Sequence, residues 1–80
     1  MRLDKYLKVA RIIKRRTVAN EACDAAHVTV NGKPAKASYE VREGDVLEIT
    51  FGARTLRVWV LDVRETVGKA GATSLYEVLD

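Results

Sequence analysis

The hydrophobic period of this chain changes once, after His27. Before that point apolar residues recur three and four positions apart, the spacing of a helix face. After it they alternate in short runs, the spacing of a half-buried strand. Within 80 residues this order leaves room for a helical segment followed by a small sheet, an α+β arrangement around one core.

In the first segment Leu3, Tyr6, Leu7, Val9, Ala10 and Ile13 fall on one arc, and Lys5, Lys8, Arg11 and Arg15 on the opposite one. This spacing predicts an amphipathic helix over about residues 3–13, with a cationic wet face. Lys14-Arg15-Arg16 reads as a turn and Thr17 as the N-cap of a second helix over about 18–26. Val18, Ala22, Ala25 and Ala26 form its apolar stripe, small enough for close helix–helix approach.

Val28-Thr29-Val30 alternates and runs directly into Asn31-Gly32, a pair that tolerates positive φ at both positions and signals a tight hairpin. Pro34 has no N–H to give a ladder, which places the return arm at a sheet edge. Glu43-Gly44-Asp45 marks another turn. Leu47, Ile49 and Phe51 then alternate with Val46, Glu48 and Thr50. Gly52-Ala53-Arg54 turns the chain into Leu56–Val63, where Leu56, Val58 and Val60 share a face and Trp59 falls out of phase with them. Residues 66–74 lack a period and contain two glycines, which reads as a mobile loop, and Leu75–Leu79 reads as a last strand. The expected fold is thus two N-terminal helices packed on a mostly antiparallel sheet of four to five short strands. The whole chain is expected to form one domain, its core motif over about residues 1–50 and C-terminal strands over about 55–80.

Composition narrows the function. The single cysteine, Cys23, cannot build a disulfide framework or a multi-thiolate metal site. Lys5, Lys8 and Arg11 interrupt the apolar run a signal peptide needs. The longest aliphatic or aromatic run, Val58–Leu61, is far short of the roughly 20 residues of a membrane span. These features predict a reduced, cytoplasmic protein with no membrane partner.

Charge is distributed unevenly. Residues 1–16 hold seven of the 14 basic side chains against one acidic one, a net +6, while residues 17–80 hold seven basic against ten acidic, a net −3. A basic block on one end is the electrostatic footprint of a phosphate-backbone binder. Guanidinium groups bind phosphate bidentately, and the amino end of the second helix adds backbone donors and a positive dipole, so Arg15, Arg16 and that terminus can converge on phosphate. Lys33 and Lys36 flank the Asn-Gly turn and can extend this surface or merely protect an edge strand. The pattern does not separate RNA from DNA.

The remaining chemistry-bearing residues read as structural. Cys23 lies among alanines and is expected to be a packed, inert thiol. His27, the one histidine, falls where the second helix ends, a place for packing or capping. Trp59 is expected to be partly exposed, with packing beneath the final loop favoured over base stacking. No nucleophile–base pair, phosphate loop or ligand cluster appears, so neither catalysis nor a cofactor is expected.

Four segments occur in an order that is informative as a set: Met1-Arg2-Leu3-Asp4-Lys5-Tyr6-Leu7, Lys14-Arg15-Arg16-Thr17, Val30-Asn31-Gly32-Lys33-Pro34-Ala35-Lys36 and Val41-Arg42-Glu43-Gly44-Asp45. Together they resemble the RNA-binding domain named after small-subunit ribosomal protein S-four. The full-length pattern resembles its short stand-alone members of ribosome-associated quality control, the RqcP group, which is related to the ribosome-binding heat-shock protein fifteen. The absence after Asp80 of that relative's longer basic extension favours the shorter group.

The resemblance implies a non-enzymatic, monomeric factor that binds obstructed large ribosomal subunits carrying peptidyl-tRNA. Such a factor contacts ribosomal RNA and tRNA and supports C-terminal tailing of the stalled nascent chain by an RqcH/NEMF-type partner. It further implies an RNA surface of Arg2, Lys5, Lys8, Arg11, Lys14, Arg15, Arg16, Thr17, Lys33 and Lys36, with Asp4 in a structural role beside a neighbouring base. A generic structured-RNA module, an accessory domain of an RNA-modifying enzyme and a protein-only adaptor remain the alternatives.

Overall fold

The computed structural model describes residues 1–64 and 75–79. The elements run α1 (Leu3–Val9), α2 (Arg16–Asp24), β1 (Val28–Val30), β2 (Lys33–Pro34), β3 (Val46–Phe51), β4 (Arg54–Val60) and β5 (Tyr76–Leu79). The strands form one antiparallel sheet in the order β2-β1-β3-β4-β5. This is the α+β arrangement that the change of period predicts.

Both helices end earlier than their apolar spacing predicts, and by the same device. At the end of α1 Arg11 adopts φ +59°. Its amide bonds the Lys8 carbonyl, and the Ile12 amide bonds the Leu7 carbonyl. At the end of α2 Ala26 adopts φ +61°, with its amide on the Cys23 carbonyl and the His27 amide on the Ala22 carbonyl. Each is a Schellman wrap, normally built with glycine in the left-handed position. The expected capping role of His27 is thus filled by its backbone. Ile13, whose amide also returns to the Leu7 carbonyl, is still buried. The apolar period therefore outlasts the helix.

The start of α2 also differs from expectation. Arg15, extended at φ −116°, is the N-cap and makes no side-chain cap bond, and Arg16 is already helical. Thr17 lies inside the first turn and is exposed. The buried face of the helix is Ala19 and Cys23, whereas Val18 is 47% exposed and Ala25 and Ala26 are exposed. Starting the helix two residues sooner rotates no side chain. It is the crossing against α1 that selects the 19/23 stripe.

Asn31 and Gly32 take φ +52° and +86°, and Val30 pairs with Lys33 across the turn. The edge placement expected from Pro34 holds, since β2 is the outermost strand. Val28, Val30, Leu47, Ile49, Val58 and Val60 join Leu3, Tyr6, Leu7, Ala19 and Cys23 in one buried cluster. On the other sheet face Thr29 donates to Glu48 at 3.3 Å, and Glu48 pairs with Arg57 at 3.1 Å. Trp59 lies on this face opposite Val46 and Glu77 and is 42% exposed, as its phase predicts. Phe51 departs from the alternation, being 46% exposed where β3 runs into the Gly52 turn. The expected mobile loop at 66–74, and the packing of Trp59 beneath it, lie outside the described residues.

Residues 37–41 bind the chain's start. The Leu3 amide bonds the Tyr39 carbonyl at 2.8 Å, the Asp4 amide bonds the Ala37 carbonyl at 3.2 Å, and the Val41 amide bonds the Met1 carbonyl at 2.9 Å. The N-terminal ammonium pairs with Glu40. These bonds hold the first turn of α1, and Arg2 with it, against the segment that follows the hairpin.

Candidate nucleic-acid interface

Position 4 of the chain lies between Leu3 and Tyr6 on α1, near the apolar arc, and carries a carboxylate. Burying a carboxylate is costly unless donors surround it, and Asp4, with a side chain 3% exposed, is surrounded. The Lys5 amide donates to Oδ1 at 2.8 Å. Arg2 donates from Nε to Oδ1 at 3.2 Å and from Nη2 to Oδ2 at 3.4 Å. Asn20 Nδ2 donates to Oδ2 at 3.3 Å, and Arg16 Nε lies 3.3 Å from the same oxygen. Burial alone pushes this carboxyl up. The bonds from Asn20, Arg2, Arg16 and the Lys5 amide outweigh burial and hold it below the ordinary value.

Asp4 therefore stands at the crossing of the two helices and gathers one arginine from each. The structural role expected for Asp4 takes this form, with two arginine partners. Both guanidiniums remain about half exposed, at 49% and 45%. Beside them a depression of about 410 Å³ is lined by Asp4, Arg16, Thr17, Asn20 and Glu21. Arg2 and Arg16, distant along the chain, meet here on Asp4.

The other basic residues spread outward from this centre. Lys8, Arg11, Lys14 and Arg15 are exposed and make no ion pair among the described residues. Lys5 is half-buried on α1. Lys33 and Lys36 line a second, larger depression of about 700 Å³ with Asn31, Pro34, Ser38 and Tyr39. The 37–41 segment joins it to the start of α1.

Asn20 was not legible as part of this centre from spacing alone. The usable signal is chemical: Asp4 follows Leu3 beside the apolar arc of α1 and Asn20 follows the buried Ala19, and buried polar groups find partners. Cys23 does not take part. It is buried, and burial, aided by the charges of Asp4 and Asp24, pushes its thiol up to about 11. It is the inert thiol its surroundings predict.

The S4 domain model matches residues 1–47. Over 98% of its length the chain is 55% identical to the RQC P-site tRNA stabilizing factor of Halalkalibacterium halodurans, of which it covers 89%. The chain belongs to the S4-domain family of RQC P-site tRNA stabilizing factors. The Bacillus subtilis member is 46% identical over 99% of this chain and 92% of its own. Among solved structures the chain is similar to the trimeric Heat Shock Protein 15 of Vibrio cholerae, with TM-score 0.91 and 29% identity over 99% of this chain and 81% of the other. That likeness includes the C-terminal strands, which lie beyond the matched S4 segment. No helix among the described residues is long and apolar enough to cross a membrane.

Proposed function

We propose that this chain is a non-catalytic cytoplasmic RNA-binding factor of ribosome-associated quality control. It binds large ribosomal subunits that still carry peptidyl-tRNA, contacts ribosomal RNA and tRNA, and supports C-terminal tailing of the stalled chain by an RqcH/NEMF-type partner. The observation that carries this reading is the near full-length identity with factors named for stabilizing P-site tRNA.

The RNA surface is Arg2, Lys5, Lys8, Arg11, Lys14, Arg15, Arg16, Thr17, Lys33 and Lys36. The cluster around Asp4 supports it, because two half-exposed guanidiniums gathered on one carboxylate suit a phosphate backbone. Structured RNA offers phosphates and 2′-hydroxyls across a shallow groove, so a rigid cationic helix pair reads its shape more than its sequence.

Sucrose-gradient co-sedimentation tests this with ribosomal subunits from stalled and unstalled lysates. The wild-type chain should peak with the large subunit in the stalled lysate, and Arg2→Ala and Arg16→Ala should each shift toward the top. A wild-type chain that stays at the top in both lysates would refute the ribosomal role.

A further inference from the structure

The contacts of Asp4 carry a consequence for binding as well as for folding. Its carboxylate takes Nε of both arginines and Nη2 of Arg2. A guanidinium carries five N–H donors, so more than half of the pair's donors remain for another anion. Free arginine side chains are rich in rotamers, and ordering them on binding weakens affinity. A carboxylate that holds both in place beforehand removes that loss, at the expense of one negative charge beside a phosphate site.

We propose that Asp4 is a positioning residue for RNA: buried at the helix crossing, it sets the Arg2 and Arg16 guanidiniums side by side as one preorganised phosphate fork. Asn20, donating to the oxygen that Arg16 also approaches, fixes the carboxylate's orientation. This deepens the proposed function and rests on it.

Positioning and simple electrostatics differ in sign for a change at Asp4. Coulomb attraction alone says that deleting a negative charge beside bound phosphate tightens binding. Positioning says that Asp4→Asn loosens it, because an amide nitrogen replaces an oxygen that Arg16 and Asn20 approach. The loss should be about tenfold, the scale of two long side chains left unordered. Asp4→Glu keeps the charge but moves it by one methylene, and should also bind more weakly. Glu21→Gln removes a charge from the same depression without touching either arginine in the contacts above, and should not weaken binding.

Purified large ribosomal subunits serve as the probe, with the folded fraction of each variant fixed by its thermal transition. In an Arg16→Ala background the effect of Asp4→Asn should shrink to at most a few-fold, since one tine of the fork is already gone. Folded Asp4→Asn protein that binds as tightly as wild type or tighter overturns the proposal, as does a loss fully additive with Arg16→Ala. A wild-type chain that fails to bind overturns the functional reading as well, which separates the two failures. Should the Asp4 variants not fold, nitrogen-15 relaxation of the wild-type arginine Nε–H groups decides. Arg2 and Arg16 should be rigid while the exposed Arg15 is mobile, and equal mobility in all three overturns the fork.

Discussion

The side-chain amide of Asn31 donates to Oδ1 of Asp45 at 3.1 Å, tying the hairpin turn to the turn before β3. The same amide's oxygen accepts from the Val46 backbone at 3.0 Å, so Asn31 bridges the two turns with both ends of its side chain. Asp45 in turn accepts from the Tyr39 hydroxyl at 3.1 Å and from the Arg42 amide at 3.0 Å. The Asn-Gly signal thus marks more than a change of direction: it begins a polar knot that holds the loop carrying Lys33 and Lys36.

Removing the hub of that knot strands several donors. Asp45→Ala should destabilise the fold by about 2–3 kcal/mol, the cost of leaving partly buried donors without a partner. Denaturant unfolding at neutral pH reads this directly. A change below about 0.5 kcal/mol, ordinary for a surface substitution, would mean water replaces the carboxylate without loss.

Ala26 holds a left-handed conformation that a Cβ disfavours. Ala26→Gly should therefore stabilise the protein by about 0.5–1 kcal/mol, the relief of strain less glycine's extra unfolded entropy. For a domain of this size that raises the melting temperature by about 2–8 °C. Arg11→Gly should gain similarly at the end of α1 while removing one cation from the proposed RNA surface. A fall in melting temperature for both would contradict the described helix ends.

Cys23 offers a pH test. Its thiol is raised from 9.0 to about 11 in the folded chain, so the fold favours the protonated form. The associated stability is fully present below pH 9 and is lost as pH climbs toward 11. At pH 8 a thiol-alkylating reagent should label native protein far more slowly than protein in denaturant. Equal rates would show that the α1–α2 crossing opens readily.

Arg2→Ala and Arg16→Ala should each leave the protein folded. Both side chains are half exposed, and Asp4 keeps three other donors after either loss. Each arginine bonds a buried carboxylate, so either loss should cost about 1.5–3 kcal/mol, the scale of a hydrogen bond to a charged group, and thermal transitions should persist at lower temperature while affinity for ribosomal RNA falls. With about six phosphates neutralised, log affinity of the wild type should fall with log salt at a slope of about −4 to −5. A salt slope near zero would count against phosphate recognition, and loss of the thermal transition in either variant would make that arginine structural.

What the sequence by itself determined is everything that depends on neighbours along the chain. The order of helices and strands follows from apolar spacing, the hairpin from Asn31-Gly32, the edge strand from Pro34, and the outward face of Trp59 from its phase. The cationic start of the chain is a matter of counting.

The helix ends escaped that reading because their left-handed residues are Arg11 and Ala26, where local preference favours glycine and the surrounding packing overrides it. Only the tertiary structure decided which distant groups meet. Asp4 reaches Arg16 and Asn20 because α1 and α2 cross there, and the Tyr6 hydroxyl bonds the Leu75 carbonyl at 2.6 Å across the whole chain. Periodicity is a property of a local backbone, whereas partnership between elements depends on the angle and offset at which they pack, which no single element encodes.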